Sequence, residues 1–159
     1  IPESYVTAIK EFEFLPGSKE AIAECASVFK HILVVTNQQG IGKGLMTKSD
    51  LEAIHHHMQM EVHLAGGRID EAYFCPGLKR DNPICRKPEI GMYLQACDDF
   101  PEIHPEKSIM VGDSPSDIQF GRKAGIKILV GIGDRLEAED CDVCYPSLFD
   151  FAQDIKGRK

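Results

Sequence analysis

No apolar run in this 159-residue chain approaches the roughly 20 residues that a membrane-spanning helix needs. Nor does a basic, apolar, small-residue succession at its start read as a secretory signal. The expectation is a cytoplasmic protein with no membrane contact. Positive charge is also scarce: 18 Lys and Arg face 25 Asp and Glu, giving a formal net charge of -7 and a pI near 5.3. A general nucleic-acid surface needs basic patches or stripes, so no nucleic-acid partner is expected, and any anionic ligand must be held by a local cluster of cations. Internal repeats and low-complexity linkers are absent too.

What is present is an ordinary globular balance, 43% hydrophobic and 27% charged, read as one domain over residues 1–159 and as a monomer. A chain of this size with an apolar core does not need disulfides, so its six cysteines (Cys25, Cys75, Cys85, Cys97, Cys141 and Cys144) are expected as reduced thiols.

Strand-like and helix-like segments alternate, which predicts an α/β sandwich with a mainly parallel sheet. Ala21, Ile22, Cys25, Val28 and Phe29 recur at helical spacing, and "HILVVTN" follows as a strand buried on both faces. From Thr47 a capping-box start with Asp50 opens a helix whose apolar face is Leu51, Ile54, Met58, Val62 and Ala65. His55, His56 and His57 point in different directions on it and read as solvated surface. "IDEAYFC" is the next strand, and Pro88 is expected to start a helix running to Cys97. "KSIMVGD" ends at Asp113, after which Ser114 at the N-cap, Pro115 and Asp117 open a helix that Gly125 closes. "KILVGIG" is a further strand, and Leu148, Phe151 and Ile155 mark a last helix.

Thr36-Asn37, Arg86-Lys87 and Asp113 all fall at or beyond strand ends. In an open parallel sheet such positions converge in one crevice. A hydroxyl, an amide, two cations and an anion suit a phosphate with a divalent metal. "GIGKG" is no Walker loop, because Asn37 and Gly44 stand where that pattern needs Gly and Ser or Thr.

In that order, "VVTNQQGIGKG", "CRKPEIGM" and "VGDSPSDIQFGRKAG" resemble motifs II, III and IV of the haloacid dehalogenase-like phosphatases. The likeness is greatest to the subgroup of D,D-heptose 1,7-bisphosphate phosphatase and histidinol-phosphate phosphatase, and "YVTAIKEFEFLPGSKEAI" extends it over nearly the whole chain. The resemblance implies a Rossmann-like three-layer sandwich without a large cap domain. It implies that Thr36 binds the transferring phosphoryl group, that Lys87 balances its charge and that Asp113 ligates Mg²⁺. Arg86 becomes the substrate-side cation, residues 37–44, with Asn37, Gln38, Gly40 and Lys43, the substrate loop, and Asp117 a support for Lys87 or a metal-bound water.

The family's reaction is attack on phosphorus by an aspartate, followed by hydrolysis of the aspartyl-phosphate. Its first motif, Asp-x-Asp-Gly after an apolar strand, is missing from this chain. The expectation is that this motif and its central strand lie upstream of Ile1, and that the 159 residues alone are inactive. Without that strand, the strands ending at Thr36 and Asp113 would leave unpaired backbone groups, each costing about 1–3 kcal/mol. The subgroup's zinc loop is degraded: Cys75 and Cys85 match its outer ligands, but Gly77 and Pro83 replace the inner two, so no structural zinc is expected. The functional expectation is Mg²⁺-dependent hydrolysis of a small phosphorylated metabolite, foremost a heptose 1,7-bisphosphate. Histidinol phosphate, 3′-phosphorylated nucleic-acid ends, and a non-catalytic phosphate-binding module are the alternatives.

Overall fold

The computed structural model describes residues 18–37, 43–44, 47–78, 80 and 83–157. Among these residues, five strands and five α-helices follow in the order α1 (Ser18–Ala26), β1 (Leu33–Asn37), α2 (Lys48–Leu64), β2 (Glu71–Cys75), α3 (Gly91–Asp99), β3 (Ile109–Gly112), α4 (Pro115–Lys123), β4 (Ile128–Ile132), β5 (Val143–Tyr145) and α5 (Leu148–Gly157). Every strand pairing among the described residues is parallel. Alternation along the strands sorts the core into two layers. Met110 and Leu129 face one apolar cluster with Met92 and Ala96 of α3 and Ile118 and Phe120 of α4. Ile109, Val111 and Val130 face another with Ala21 and Cys25 of α1 and Phe151 and Ala152 of α5. The result is the α/β/α sandwich of a Rossmann-like fold, with helices covering both sheet faces.

The strands form two sheets, β1-β2 and β3-β4-β5. Among the described residues, nothing pairs β1 with β3. In such a fold the ligand crevice is expected beyond the carboxyl ends of the strands, where Lys87 bridges Val35 of β1 and Asp117 of α4.

Local signals placed most elements, and tertiary contacts shifted several. Thr47 and Asp50 form the expected box, each side chain accepting from the other's backbone N–H, at 2.9 and 3.0 Å. Gly125, at φ +78, closes α4 in a conformation that L side chains rarely adopt. The first helix stops at Ala26, short of Val28 and Phe29. There the Arg68 guanidinium caps its end, donating to the carbonyls of Ala26 (2.8 Å), Lys30 (2.5 Å) and Phe29. Ala65 is exposed beyond the end of α2. The third helix begins at Gly91, not Pro88, because turn bonds take the preceding N–H groups: Arg86 to Pro83 O, Glu89 to Arg86 O and Gly91 to Ile84 O. His56 is exposed as expected, but His55 is half-buried, its ring 6.3 Å from that of Phe74. Cys141 is buried, whereas Cys144 on β5 is exposed.

The expectation of reduced thiols fails for one pair. Cys75, at the end of β2, is joined to Cys85 by a disulfide, while Cys25, Cys97, Cys141 and Cys144 are free. Residue types alone do not reveal such pairing; the fold-back of the loop does. A Cβ on Gly77 would lie 2.4 Å from Pro83 Cγ, so the two residues standing at the inner zinc positions pack the loop's arms together. The disulfide removes both sulfurs as thiolate ligands. No helix of the described residues is long and apolar enough to cross a membrane.

Candidate active site

Thr36 and Asn37 are the last residues of β1, in register with Phe74 and Cys75 of β2. The Asn37 carboxamide clips the backbone of Lys87: Lys87 N–H donates to Asn37 Oδ1 at 2.9 Å, and Asn37 Nδ2 donates to Lys87 O at 3.4 Å. The first two motifs therefore meet through a side chain that reads backbone. Lys87 then extends its ammonium across the crevice, donating to Val35 O of β1 at 3.1 Å and to Asp117 Oδ1 at 2.5 Å.

Asp117 is the hub of the other wall. Its Oδ2 accepts from the backbone N–H of Asp113 (3.1 Å) and Ser114 (3.3 Å) and from the Ser114 hydroxyl (3.0 Å). One carboxylate thus covers free N–H groups where α4 begins and holds a lysine from a distant loop. Burial alone would raise its pKa, but the Lys87 charge and these hydrogen bonds outweigh burial and hold it below the usual carboxylate range. Gly112 makes room for it. A Cβ there would lie 2.2 Å from Asp117 Cβ.

Asp113 directly follows β3, and its carboxylate is exposed, with Arg135 Nη1 3.5 Å from Oδ2. Arg86, next to Lys87, carries a buried Nη1 with no hydrogen-bond partner among the described residues. A buried cationic donor without an acceptor is costly, which is an argument for an incoming anion. Lys43 lies in an exposed turn with Gly44. Gln38 and Gly40 lie outside the described residues.

The structure thus joins Asn37, Lys87, Asp113 and Asp117 in one hydrogen-bonded network, with Thr36 and Arg86 adjacent in the chain. Sequence reasoning missed Gly112 and Arg135. A glycine between an apolar strand and an acid was the available clue to the first. The second is a lone arginine in a loop and carries no signal of its own.

Mg²⁺ keeps several waters and is bound through one or two carboxylates plus substrate phosphate, in place of an all-protein cage. The Asp113 carboxylate, exposed at the end of β3, is of the kind that supplies one such ligand. The described residues contain no group of three or more His, Cys, Asp or Glu that could hold a metal by themselves.

A parallel α/β sandwich of this kind is a Rossmann-like fold, which many unrelated activities share. The HAD-hydrolase-like family model matches residues 84–143, from the arm of the disulfide loop to the start of β5. A D-glycero-alpha-D-manno-heptose-1,7-bisphosphate 7-phosphatase of Mycobacterium tuberculosis is 38% identical, over 93% of this chain and 80% of its own length. A D-glycero-beta-D-manno-heptose-1,7-bisphosphate 7-phosphatase of Rhodopseudomonas palustris is 32% identical, over 89% and 79%. The crystal structure of D,D-heptose 1,7-bisphosphate phosphatase from B. bronchiseptica, complexed with magnesium and phosphate, superposes with a TM-score of 0.86 at 27% identity, covering 99% of this chain and 91% of that one. The chain belongs to the haloacid dehalogenase-like phosphatases, in the family of these heptose-bisphosphate 7-phosphatases. Members of this class are Mg²⁺-using hydrolases of phosphomonoesters.

Proposed function

We propose that this protein hydrolyses the 7-phosphate of a D-glycero-D-manno-heptose 1,7-bisphosphate. The observation that carries the reading is Lys87, fixed by Asp117 and Asn37, next in the chain to Arg86, whose buried Nη1 has no partner among the described residues. Two adjacent cations, one positioned and one awaiting an acceptor, suit a phosphorylated sugar. Thr36 and Lys87 hold the transferring phosphoryl group, and Arg86 with Asn37, Gln38, Gly40 and Lys43 holds the sugar side. Asp113 holds Mg²⁺, which when bound neutralises charge on the phosphoryl oxygens. Asp117 acts through Lys87, fixing its ammonium.

The nucleophile in this reading is an aspartate of an Asp-x-Asp-Gly motif, which the 159 residues do not contain. Among the described residues no strand pairs the facing edges of β1 and β3, which supports a strand carrying it between them, completing one sheet and one domain. The net charge of -7 supports a small metabolite over nucleic acid. The protein acts as a cytoplasmic monomer.

The test is phosphate release by the full-length gene product with Mg²⁺, over both heptose 1,7-bisphosphate anomers, histidinol phosphate and 3′-phosphorylated oligonucleotides. Turnover of a heptose bisphosphate above the others is expected, with loss in Asp113→Asn and Lys87→Ala. Preference for histidinol phosphate or for oligonucleotide ends would overturn the substrate assignment. Phosphate binding without any turnover would instead identify a non-catalytic module.

A further inference from the structure

Arg135 belongs to none of the three motifs, yet its guanidinium reaches the crevice. β4 pairs with β3 in the register Gly112↔Gly131, so the chain leaving β4 emerges beside the residues that leave β3. Gly133, at φ +85, turns that chain, and its N–H donates to Tyr145 O at 2.9 Å. Three residues further, Leu136 packs against the core cluster. Both sides of the turn are anchored, so the backbone at Arg135 is held while its side chain stays 64% exposed. Arg135 Nη1 is 3.5 Å from Asp113 Oδ2. An ion pair this exposed adds little to stability, too little to account for the arginine as a stabiliser. It is also easily exchanged for a stronger partner.

Lys87 is committed to one place by Asp117 and Val35 O. Arg86 and Arg135 are not so committed, and they approach the crevice on different loops, one before α3 and one after β4. A guanidinium fork matches a phosphate bidentately, which a lysine cannot do. We propose that Arg135 is a specificity-determining residue: held at the edge of the site beside Asp113, its exposed guanidinium binds the second, non-transferred phosphate of a bisphosphate substrate. The inference rests on the heptose bisphosphate reading and adds to it the residue that tells a bisphosphate from a monophosphate.

The experiment compares wild type, Arg135→Ala and Arg135→Lys in the full-length protein. Heptose 1,7-bisphosphate and heptose 7-phosphate, which lacks the second phosphate, are the ligands. A hydrogen bond to a charged group is worth about 1.5–3 kcal/mol, so KM for the bisphosphate is expected to rise about 10- to 100-fold in Arg135→Ala. The monophosphate KM and kcat for both stay near wild type, and lysine rescues part of the loss. A KM unchanged for the bisphosphate, or raised equally for both ligands, would overturn the proposal. Mg²⁺ affinity by calorimetry, a readout independent of turnover, is expected to stay the same or to rise up to about fivefold once the competing cation is gone. A weakened Mg²⁺ affinity would place Arg135 in support of the metal and sink the inference. If wild type releases no phosphate, the functional reading fails; calorimetric binding of the same two ligands to Arg135→Ala then decides the inference separately.

Discussion

The ammonium of Lys87 lies 2.5 Å from Asp117 Oδ1, with the two side chains only 12% and 10% exposed. This contact ties the loop before α3 to the start of α4, and so links the walls of the crevice. Removing one member of a buried pair strands the other charge away from water, at a cost of about 3–5 kcal/mol. Asp117→Ala is therefore expected to lower unfolding free energy by about that much in urea titrations. Glu89 and Lys123 are also paired, at 2.8 Å, but lie exposed. Glu89→Ala is expected to cost less than about 1 kcal/mol. Equal losses in the two variants would show that the Lys87 pair is not buried as described.

Two pH windows of instability follow from the shifted groups. Asp117 is held below its ordinary 3.8 in the folded chain, so its contribution is complete above that value and is lost as pH falls through the lower folded one. His55 is also lowered, from 6.5, because burial disfavours its charged form more than Glu71 and Glu52 favour it. Its contribution is likewise present above 6.5 and falls away below. The melting temperature is expected to drop in two steps on acidification, the first removed in His55→Phe and the second in Asp117→Asn. A single step that neither substitution alters would refute the assignment.

The elements that could be read from sequence are those set by neighbours in the chain. Ser114, Pro115 and Asp117 announce the start of α4 within four residues, and the Asp117 carboxylate meets the Ser114 N–H as that pattern requires. The alternation of Met110 and Leu129 with Val111 and Val130 follows from strand pleating alone. What escaped was set by distant partners. Arg68 ends α1 from 42 residues away, and no local feature of the helix foretells it. The Asn37 clip on Lys87 spans 50 residues, so the motifs indicated a shared crevice but not the bond that builds it.

The Cys75–Cys85 disulfide closes a loop with a sequence separation of 10 that ends beside Arg86 and Lys87. Loops of this size yield about 2–4 kcal/mol when cross-linked. Peptide mapping without reductant should recover the Cys75 and Cys85 peptides joined, with Cys97 free to alkylate. Cys75→Ala with Cys85→Ala should lower stability within that range. One bound zinc per chain in protein purified without chelator would contradict both the pairing and the loop packing described here.

Gly112 offers the sharpest separation of site geometry from general stability. A Cβ at Gly112 would meet Asp117 Cβ at 2.2 Å, whereas one at Gly121 would meet Leu129 Cδ2 at 2.6 Å and Met110 Cβ at 2.9 Å. Both positions are tight, but only the first presses on the carboxylate that holds Lys87. Over-packing of either kind costs about 1–3 kcal/mol, so Gly112→Ala and Gly121→Ala should lose comparable stability. They should differ in the crevice. In the full-length protein, Gly112→Ala is expected to displace Asp117 from the Lys87 ammonium and to cost about 100-fold in turnover per folded molecule, since small misplacements at a reacting centre have effects of that order. Gly121→Ala, which strains the core beneath α4, should keep turnover per folded molecule near wild type. Full activity in Gly112→Ala would mean that Asp117 can move without consequence, and that the Asn37 clip and Val35 O suffice to position Lys87.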